Sequence, residues 1–292
     1  MADPERTYHV NGELCPASEA TVSVRDRGFM YGDAIFETLR AYGGDIFRWD
    51  EHAERLHNSA ARLELEHGLS SATLRDRIDE TLTANSLDDA YVKCSITRGA
   101  QPGKLTPDPV TDPTVVIQVA SLPRGGISGT QPWEGPATLQ TVKTRRIPDT
   151  AIPSNAKTHN YLNGILARLE LRPTDADEAI MRDQEGNLAE GSTGNLFFVR
   201  DDSLCTPSLS GPVLPGITRS VVLELAAAEG IPTQVDAFDI DDLHRASEAF
   251  VTNSTWEIRP VDTADGIAIG SGPVTALLRR LFSELVEEEC YR

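Results

Sequence analysis

Lysine is nearly missing from this chain: of 27 basic residues only Lys93, Lys104, Lys143 and Lys157 are lysines. The 45 acidic residues outweigh the basic ones and leave a net charge of -18. So negative a surface argues against nucleic acid and anionic membranes as partners. Acid excess with scarce lysine resembles the proteins of salt-rich cytosols, where screening shortens the reach of self-repulsion. Cysteine is also sparse. Cys15, Cys94, Cys205 and Cys290 form no CxxC pair, so reduced thiols are expected. The six histidines show no HExxH or comparable spacing, and a metal site is not expected. No apolar run is long enough to span a bilayer, and the opening MADPERTYHV has no basic-plus-apolar leader. A soluble, cytoplasmic protein is the expectation. GxGxxG and GxxxxGK[ST] loops are absent, as are internal repeats and low-complexity tracts.

What is present is a 292-residue chain, 39% hydrophobic, enough for one large core or two moderate ones. Residues 7–16 predict a hairpin turning at Asn11-Gly12. A strand is expected over 34–42, another short one at 46–48, then helices over 50–66 and 70–84. Strands follow at 90–97 and 114–120. The Gly- and Pro-rich stretch 122–130 is the expected linker, dividing a small α+β domain (1–121) from a larger one (131–292). Beyond it the pattern predicts strands at 137–144, 178–182 and 193–200. Helices are expected over 158–172, from Ile217, over 240–246 and over 273–289. Helices and strands alternate without a βαβ rhythm, so the expected class is α+β and not a doubly wound sheet.

Three stretches contain the residues suited to chemistry. In IPSNAKTHNYLNGILARLEL, Lys157 precedes an apolar helix. Where nearly every other cation is arginine, a retained lysine suggests chemistry that arginine cannot do, such as nucleophilic attack or proton transfer; an exposed leftover lysine is the plain alternative. In NLAEGSTGNLFFVRDDSLCTP, Glu190 ends a strand beside a polar turn, a position more often simply solvated. In VLPGITRSVVLELAAAEG, Gly216 precedes a helix opening on Ile217 and Thr218. Such a start can seat a phosphate or serve as an ordinary cap.

Together with VSVRDRGFMYGDAIFETLRAY, FRWDEHAERLHNSAARL and EAFVTNSTWEIRPV, these stretches resemble the class IV, fold-type IV pyridoxal-phosphate enzymes. That group includes branched-chain aminotransferases, D-amino-acid aminotransferases and aminodeoxychorismate lyases. The resemblance covers nearly the whole chain. It implies two α+β domains with pyridoxal 5'-phosphate at their interface, and a homodimer. It further implies that Lys157 is catalytic, forming a Schiff base with the cofactor and shuttling the proton. Glu190 would hydrogen-bond the pyridine nitrogen and keep the ring an electron sink. Tyr161 would face the ring oxygen, and Arg55 would pair with the phosphate. Ile217, Thr218 and Ser254 would complete the phosphate cup, and Arg146 would lie near the cofactor.

For the amino- and keto-acid substrates, the resemblance points to Tyr31, Phe36, Thr38, Arg40, Lys93 and Thr255. The D-amino-acid enzymes carry an Arg and a His after the TRG turn, where this chain has Gly103 and Leu105. Tyr91-Val92-Lys93, Tyr31, Phe36 and Arg40 match the branched-chain group. Thr38 with Lys93 resembles the lyases, which eliminate pyruvate instead of transferring the amino group. The expected activity is transfer from a hydrophobic L-amino acid to a 2-oxo acid such as 2-oxoglutarate. The lyase, D-amino-acid and (R)-amine reactions are alternatives, as is a catalytically silent cofactor binder.

Overall fold

The run AIFETLRAY alternates, with Ile35, Leu39 and Ala41 on one side, all fully buried, in the strand that forms the spine of the first sheet. The computed structural model describes residues 6–110, 112–122, 133 and 135–291. The chain divides into two compact units: Met1–Thr130 with Ala156–Asn160 and Glu289–Arg292, and Gln131–Asn155 with Tyr161–Glu288.

The first unit contains β1 (Thr7–Val10), β2 (Glu13–Pro16), α1 (Arg27–Tyr31), β3 (Ala34–Tyr42), β4 (Asp45–Ile46), α2 (Trp49–Arg62), α3 (Ser71–Ala84), β5 (Ala90–Thr97) and β6 (Val115–Ser121). Its sheet runs β2-β1-β6-β5-β3-β4, antiparallel throughout. Asn11 and Gly12 make the expected turn with φ of 51° and 102°, the backbone a tight hairpin demands. Leu56 and Ala60 of α2, and Leu74, Ile78 and Leu82 of α3, pack in one core with Ile35, Leu39, Val92, Ile96 and Ile117. The helix expected to reach residue 66 stops at Arg62. Glu64 takes a φ of 48°, and the Leu65 N–H turns back onto the Ala60 carbonyl, which tucks Leu65 into the core.

The second unit contains β7 (Ala137–Thr141), α4 (Leu162–Leu169), β8 (Glu178–Arg182), β9 (Leu188–Gly191), β10 (Asn195–Arg200), β11 (Ser203–Pro207), α5 (Ile217–Ala228), β12 (Thr233–Asp236), α6 (Ile240–His244), β13 (Glu248–Asn253), β14 (Glu257–Ala264), β15 (Ile267–Ala268) and α7 (Pro273–Cys290). Its mixed sheet runs β12-β11-β10-β13-β14-β7-β8-β9, with β15 on β14. Pairing is parallel at β11–β12, β14–β7 and β7–β8. Leu196, Phe198, Ala249, Val251 and Val261 form the centre of its core.

Two expectations need correction. The helix placed at 158–172 begins only at Leu162, because β3 captures the residues before it: Phe36 N–H donates to the Lys157 carbonyl at 3.0 Å and His159 N–H to the Ala34 carbonyl at 3.0 Å. For the same reason Ala156–Asn160 falls in the first unit, although the expected division at 122–130 assigned all of 131–292 to one domain. The chain end also joins the first unit, where the Tyr291 hydroxyl donates to Asp89 at 2.7 Å and Arg48 pairs with Glu289 at 3.2 Å. Residues 123–130 of the expected linker lie outside the described residues.

None of the four cysteines, all among the described residues, forms a disulfide, and burial pushes the Cys94 thiol up to about 12. Among the described residues no helix is long and apolar enough to cross a membrane, and no cluster of His, Cys, Asp or Glu is arranged for a metal ion.

Several histidines titrate low. Burial, aided by His57, brings His67 to about 4; burial, aided by Lys93, brings His159 to about 4. Burial and Arg77 lower His9, whose two ring nitrogens have no hydrogen-bond partner. Their folded pKa values lie below the ordinary 6.5, so the folded state holds them neutral while the unfolded state takes up protons. Stability is therefore expected to be intact above pH 6.5 and to fall between 6.5 and 4 as His67 and His159 take up protons, each by at most about 1.4 kcal/mol per pH unit, with His9 acting in the same direction. Urea titrations across that range check it, and His9→Leu should flatten the slope.

Candidate active site

In the first unit the two faces of β3 do different work. Glu37 shares the buried side with Ile35 and Leu39 and meets α2. Arg55 binds it in a two-pronged contact, Nε to Oε1 at 2.8 Å and Nη2 to Oε2 at 2.7 Å, and His52 Nδ1 meets Oε2 at 2.8 Å. Burial alone would raise the Glu37 carboxyl, but the charge and hydrogen bonds of Arg55, with His52, hold it at about 2. His52 is lowered by its own burial, which outweighs the pull of Glu37, so the neutral ring donates from Nδ1. Two of the Arg55 donors expected at the phosphate are thus committed to Glu37.

The opposite side of β3 and β5 carries Phe36, Thr38 and Arg40, set directly across from Ser95, Lys93 and Tyr91. The Lys157 Nζ lies 4.5 Å from the Phe36 ring centroid and the Lys93 Nζ lies 4.9 Å from it. His159 meets the same ring edge-on at 5.3 Å, with its Nε2 3.2 Å from Ser95 Oγ. Burial, and next Lys157, lower the Lys93 amine from its ordinary value. Arg40 is buried with its guanidinium 4.7 Å from the Tyr42 ring, and Tyr31, at the end of α1, receives Arg27 at 5.0 Å.

In the second unit, Glu190 at the end of β9 collects three donors. Arg146 Nη2 reaches Oε1 at 2.7 Å, while the Leu214 N–H and Asn195 Nδ2 reach Oε2 at 3.0 and 3.4 Å. A carboxylate anion accepts all three. Asn163 of α4 steadies Arg146 from behind, accepting from its Nη1 at 3.4 Å and from the Ile147 N–H at 3.2 Å. The following turn is tied to the fully buried Glu178, which accepts from the Ser192 N–H and hydroxyl and, at 2.7 Å, from the Thr193 hydroxyl.

Gly216 caps α5 without a side-chain hydrogen bond to its first turn, where Ile217 and Thr218 stand. A β-carbon on Gly216 would sit 2.0 Å from Asn195 Oδ1, so only glycine lets this helix start come so close. Between β13 and β14, Asn253 Oδ1 accepts from the Thr255 N–H and hydroxyl and from the Trp256 N–H, which orders the turn that carries Ser254. Tyr161 stands just before α4 and is 38% exposed.

The structure thus gathers Phe36, Thr38, Lys93 and Lys157 in the first unit, with Glu190 beside Arg146 in the second. Sequence reasoning missed Glu37, Asn195 and His159. Glu37 had a usable signal, since a carboxylate on the apolar parity of a strand requires a buried cationic partner. His159 had none, because it matters through a contact 64 residues away, and Asn195 had only its place in the polar turn five residues after Glu190.

A nucleophilic amine, a carboxylate backed by arginine and an uncapped helix start are the donor set pyridoxal phosphate requires, for its aldehyde, ring nitrogen and phosphate respectively, so the residues fit that cofactor. The comparisons agree. The model for amino-transferase class IV matches residues 34–264. A putative branched-chain-amino-acid aminotransferase of Methanocaldococcus jannaschii is 36% identical over 281 residues, covering 95% of each chain. A D-alanine aminotransferase of Listeria innocua is 32% identical over 284 residues, covering 96% of each. Among solved structures, a branched-chain amino acid aminotransferase complexed with N-(5'-phosphopyridoxyl)-L-glutamate superposes with a TM-score of 0.88 at 33% identity, covering 97% of this chain and 95% of that one. The branched-chain aminotransferase of the archaeon Thermoproteus uzoniensis with norvaline superposes with a TM-score of 0.90 at 31% identity, covering 98% and 97%. The chain belongs to the class IV aminotransferases, pyridoxal-phosphate-dependent enzymes of fold type IV.

Proposed function

We propose that this enzyme moves the amino group of a hydrophobic L-amino acid of the branched-chain type to a 2-oxo acid such as 2-oxoglutarate, with Lys157 binding the cofactor covalently. The observation that carries the reading is the setting of Lys157, one of four lysines, whose amine rests on Phe36 beside Lys93. When bound, pyridoxal phosphate supplies an electron sink for the charge left at the substrate α-carbon. The Lys157 Nζ takes the proton from that carbon and later returns a proton in the opposite half-reaction. Glu190 holds the ring nitrogen protonated, and Arg146 keeps Glu190 ionised and aimed. Arg55, Ile217, Thr218 and Ser254 hold the phosphate, while Tyr161 faces the ring oxygen. Phe36 and Tyr31 offer apolar surface to the donor side chain, Lys93 offers a cation to a second carboxylate, and Thr38, Arg40 and Thr255 complete the substrate site.

The M. jannaschii relative supports the branched-chain reading. The D-alanine relative favours the other hand, but Gly103 and Leu105 supply no basic pair to hold a carboxylate. A lyase reading draws on Thr38, which stands directly across from Lys93. The test is to load the protein with pyridoxal phosphate and add single donors without an acceptor. Loss of the cofactor's visible band with L-leucine supports the proposal. Conversion by D-alanine or (R)-1-phenylethylamine alone, or release of pyruvate from aminodeoxychorismate alone, overturns it. The charge of -18 supports a working environment that is a salt-rich cytoplasm.

A homodimer is part of the proposal. On α4 the side chains of Leu162, Ile165, Leu166 and Leu169 are 66, 53, 47 and 40% exposed, an apolar stripe at helical spacing. Paired Leu162→Asp and Ile165→Asp substitutions are expected to give monomers in sedimentation experiments; a variant that still sediments as a dimer removes α4 from the contact.

A further inference from the structure

Ser59 is a serine in the wrong place for a helix. It is fully buried in the last turn of α2, just before Ala60 and Ala61, where alanine would favour the helix and leave no hydroxyl to satisfy. Its Oγ donates to the Arg55 carbonyl at 2.8 Å and accepts the Lys157 N–H at 3.0 Å. On the other side of the same residue, the Lys157 carbonyl accepts from Phe36 N–H at 3.0 Å. Both backbone polar groups of Lys157 are therefore taken, one by β3 and one by α2. The segment is bound further by the Ile35–Thr158 bridge and by Asn160 Nδ2, which donates to the Gly32 carbonyl at 3.2 Å.

We infer that Ser59 is a positioning residue for Lys157: its hydroxyl clasps the lysine's backbone to the helix turn that carries Arg55, and so fixes the spacing between the reactive amine and the arginine assigned to the phosphate. The inference rests on the proposed roles of Lys157 and Arg55. The clasp itself is a property of this chain. Without the hydroxyl, the Lys157 N–H loses the Ser59 acceptor, and the segment holding the lysine loses its tie to α2, staying attached through β3, Gly32 and Ser95. The amine then samples more positions relative to Arg55, and a cofactor held at both ends binds less tightly.

The test is amide hydrogen exchange of the protein free of cofactor, followed by pyridoxal phosphate titration. Ser59→Ala is expected to speed exchange at Lys157 about tenfold. It should raise the apparent dissociation constant for pyridoxal phosphate by a similar factor, and Ser59→Thr should restore both in part. Ala61→Gly, at an exposed position of α2, loosens the helix without touching the clasp and serves as the control. Faster exchange confined to residues 155–160 in Ser59→Ala and absent from Ala61→Gly supports the inference. Unchanged exchange at Lys157 in Ser59→Ala, or an equal rise in both variants, overturns it. Should Ser59→Ala fail to fold, the wild-type protein decides: a Lys157 amide exchanging as fast as an exposed one overturns the clasp. Mapping the lysine fixed to pyridoxal phosphate by borohydride tests the underlying reading separately, since a label elsewhere removes Lys157 from the chemistry and leaves the exchange result standing.

Discussion

Lys157→Ala is expected to lower transamination about ten-thousandfold, the upper range for losing a positioned proton-transfer group, while the fold survives. Lys157 combines a backbone held on both sides with an amine on the Phe36 ring near Lys93. Burial, and next the charge of Lys157, lower the Lys93 amine beside it, and a neutral amine is the form of lysine that attacks a carbonyl or accepts a proton. Lys157→Arg should be as inactive as the alanine variant, because a guanidinium keeps its proton at any working pH. With only three other lysines in the chain, borohydride labelling followed by peptide mapping gives a clear answer. A Lys157→Ala protein retaining a tenth of the activity, or still taking up the label, would remove Lys157 from the mechanism.

Glu37→Gln is expected to destabilise the first unit by about 3–5 kcal/mol, the usual result of stranding a buried charge. Glu37 is almost wholly buried, and its carboxylate is what makes burial of Arg55 tolerable. The amide removes the negative charge and leaves one acceptor oxygen where Arg55 and His52 now use two. The folded carboxyl lies at about 2, below its ordinary 4.5. Its contribution is therefore complete above 4.5 and is lost only as pH falls through about 2. Acid unfolding between 6.5 and 4 is thus assigned to the histidines, and the substitution should lower stability across that whole range without steepening it. A loss under about 1 kcal/mol in denaturant titrations would show that Arg55 finds another partner or moves into solvent.

Much of the first unit was legible because its elements repeat in simple ways. Strand β5 alternates, β3 is a nine-residue run closed by Gly43-Gly44, α2 and α3 keep apolar spacing, and Asn11-Gly12 has the one backbone shape its hairpin needs. The second unit was less so. Apart from β14, strands β11 to β15 have six residues or fewer, several are buried on both sides, and two of their pairings are parallel, so neither alternation nor turn residues announce them. The Lys157 segment was misread as helix for a related reason: its apolar spacing continues from Tyr161, but its backbone is held by partners about a hundred residues earlier. Lys157 stood out through composition, as a lysine kept among arginines. Glu190 had a weaker cue, being a carboxylate at a strand end; the resemblance named Arg146, but its pairing with Glu190, like the hydrogen bond from Asn195, is visible only in the fold.

The return of Ala156–Asn160 and of the chain end to the first unit bears on how this protein is made. A ribosome that has released the first 130 residues has not yet supplied the segment paired with β3, and Tyr291, which contacts Asp89, emerges later still. The first unit therefore cannot complete its native contacts when its first 130 residues have emerged, and its assembly depends on closures spanning more than a hundred residues, which are slow to form. Truncation at residue 130 would give a fragment lacking Lys157, the lysine proposed to hold the cofactor. Gene fusions or permutations that respect residue 130 as a boundary would sever the same connection.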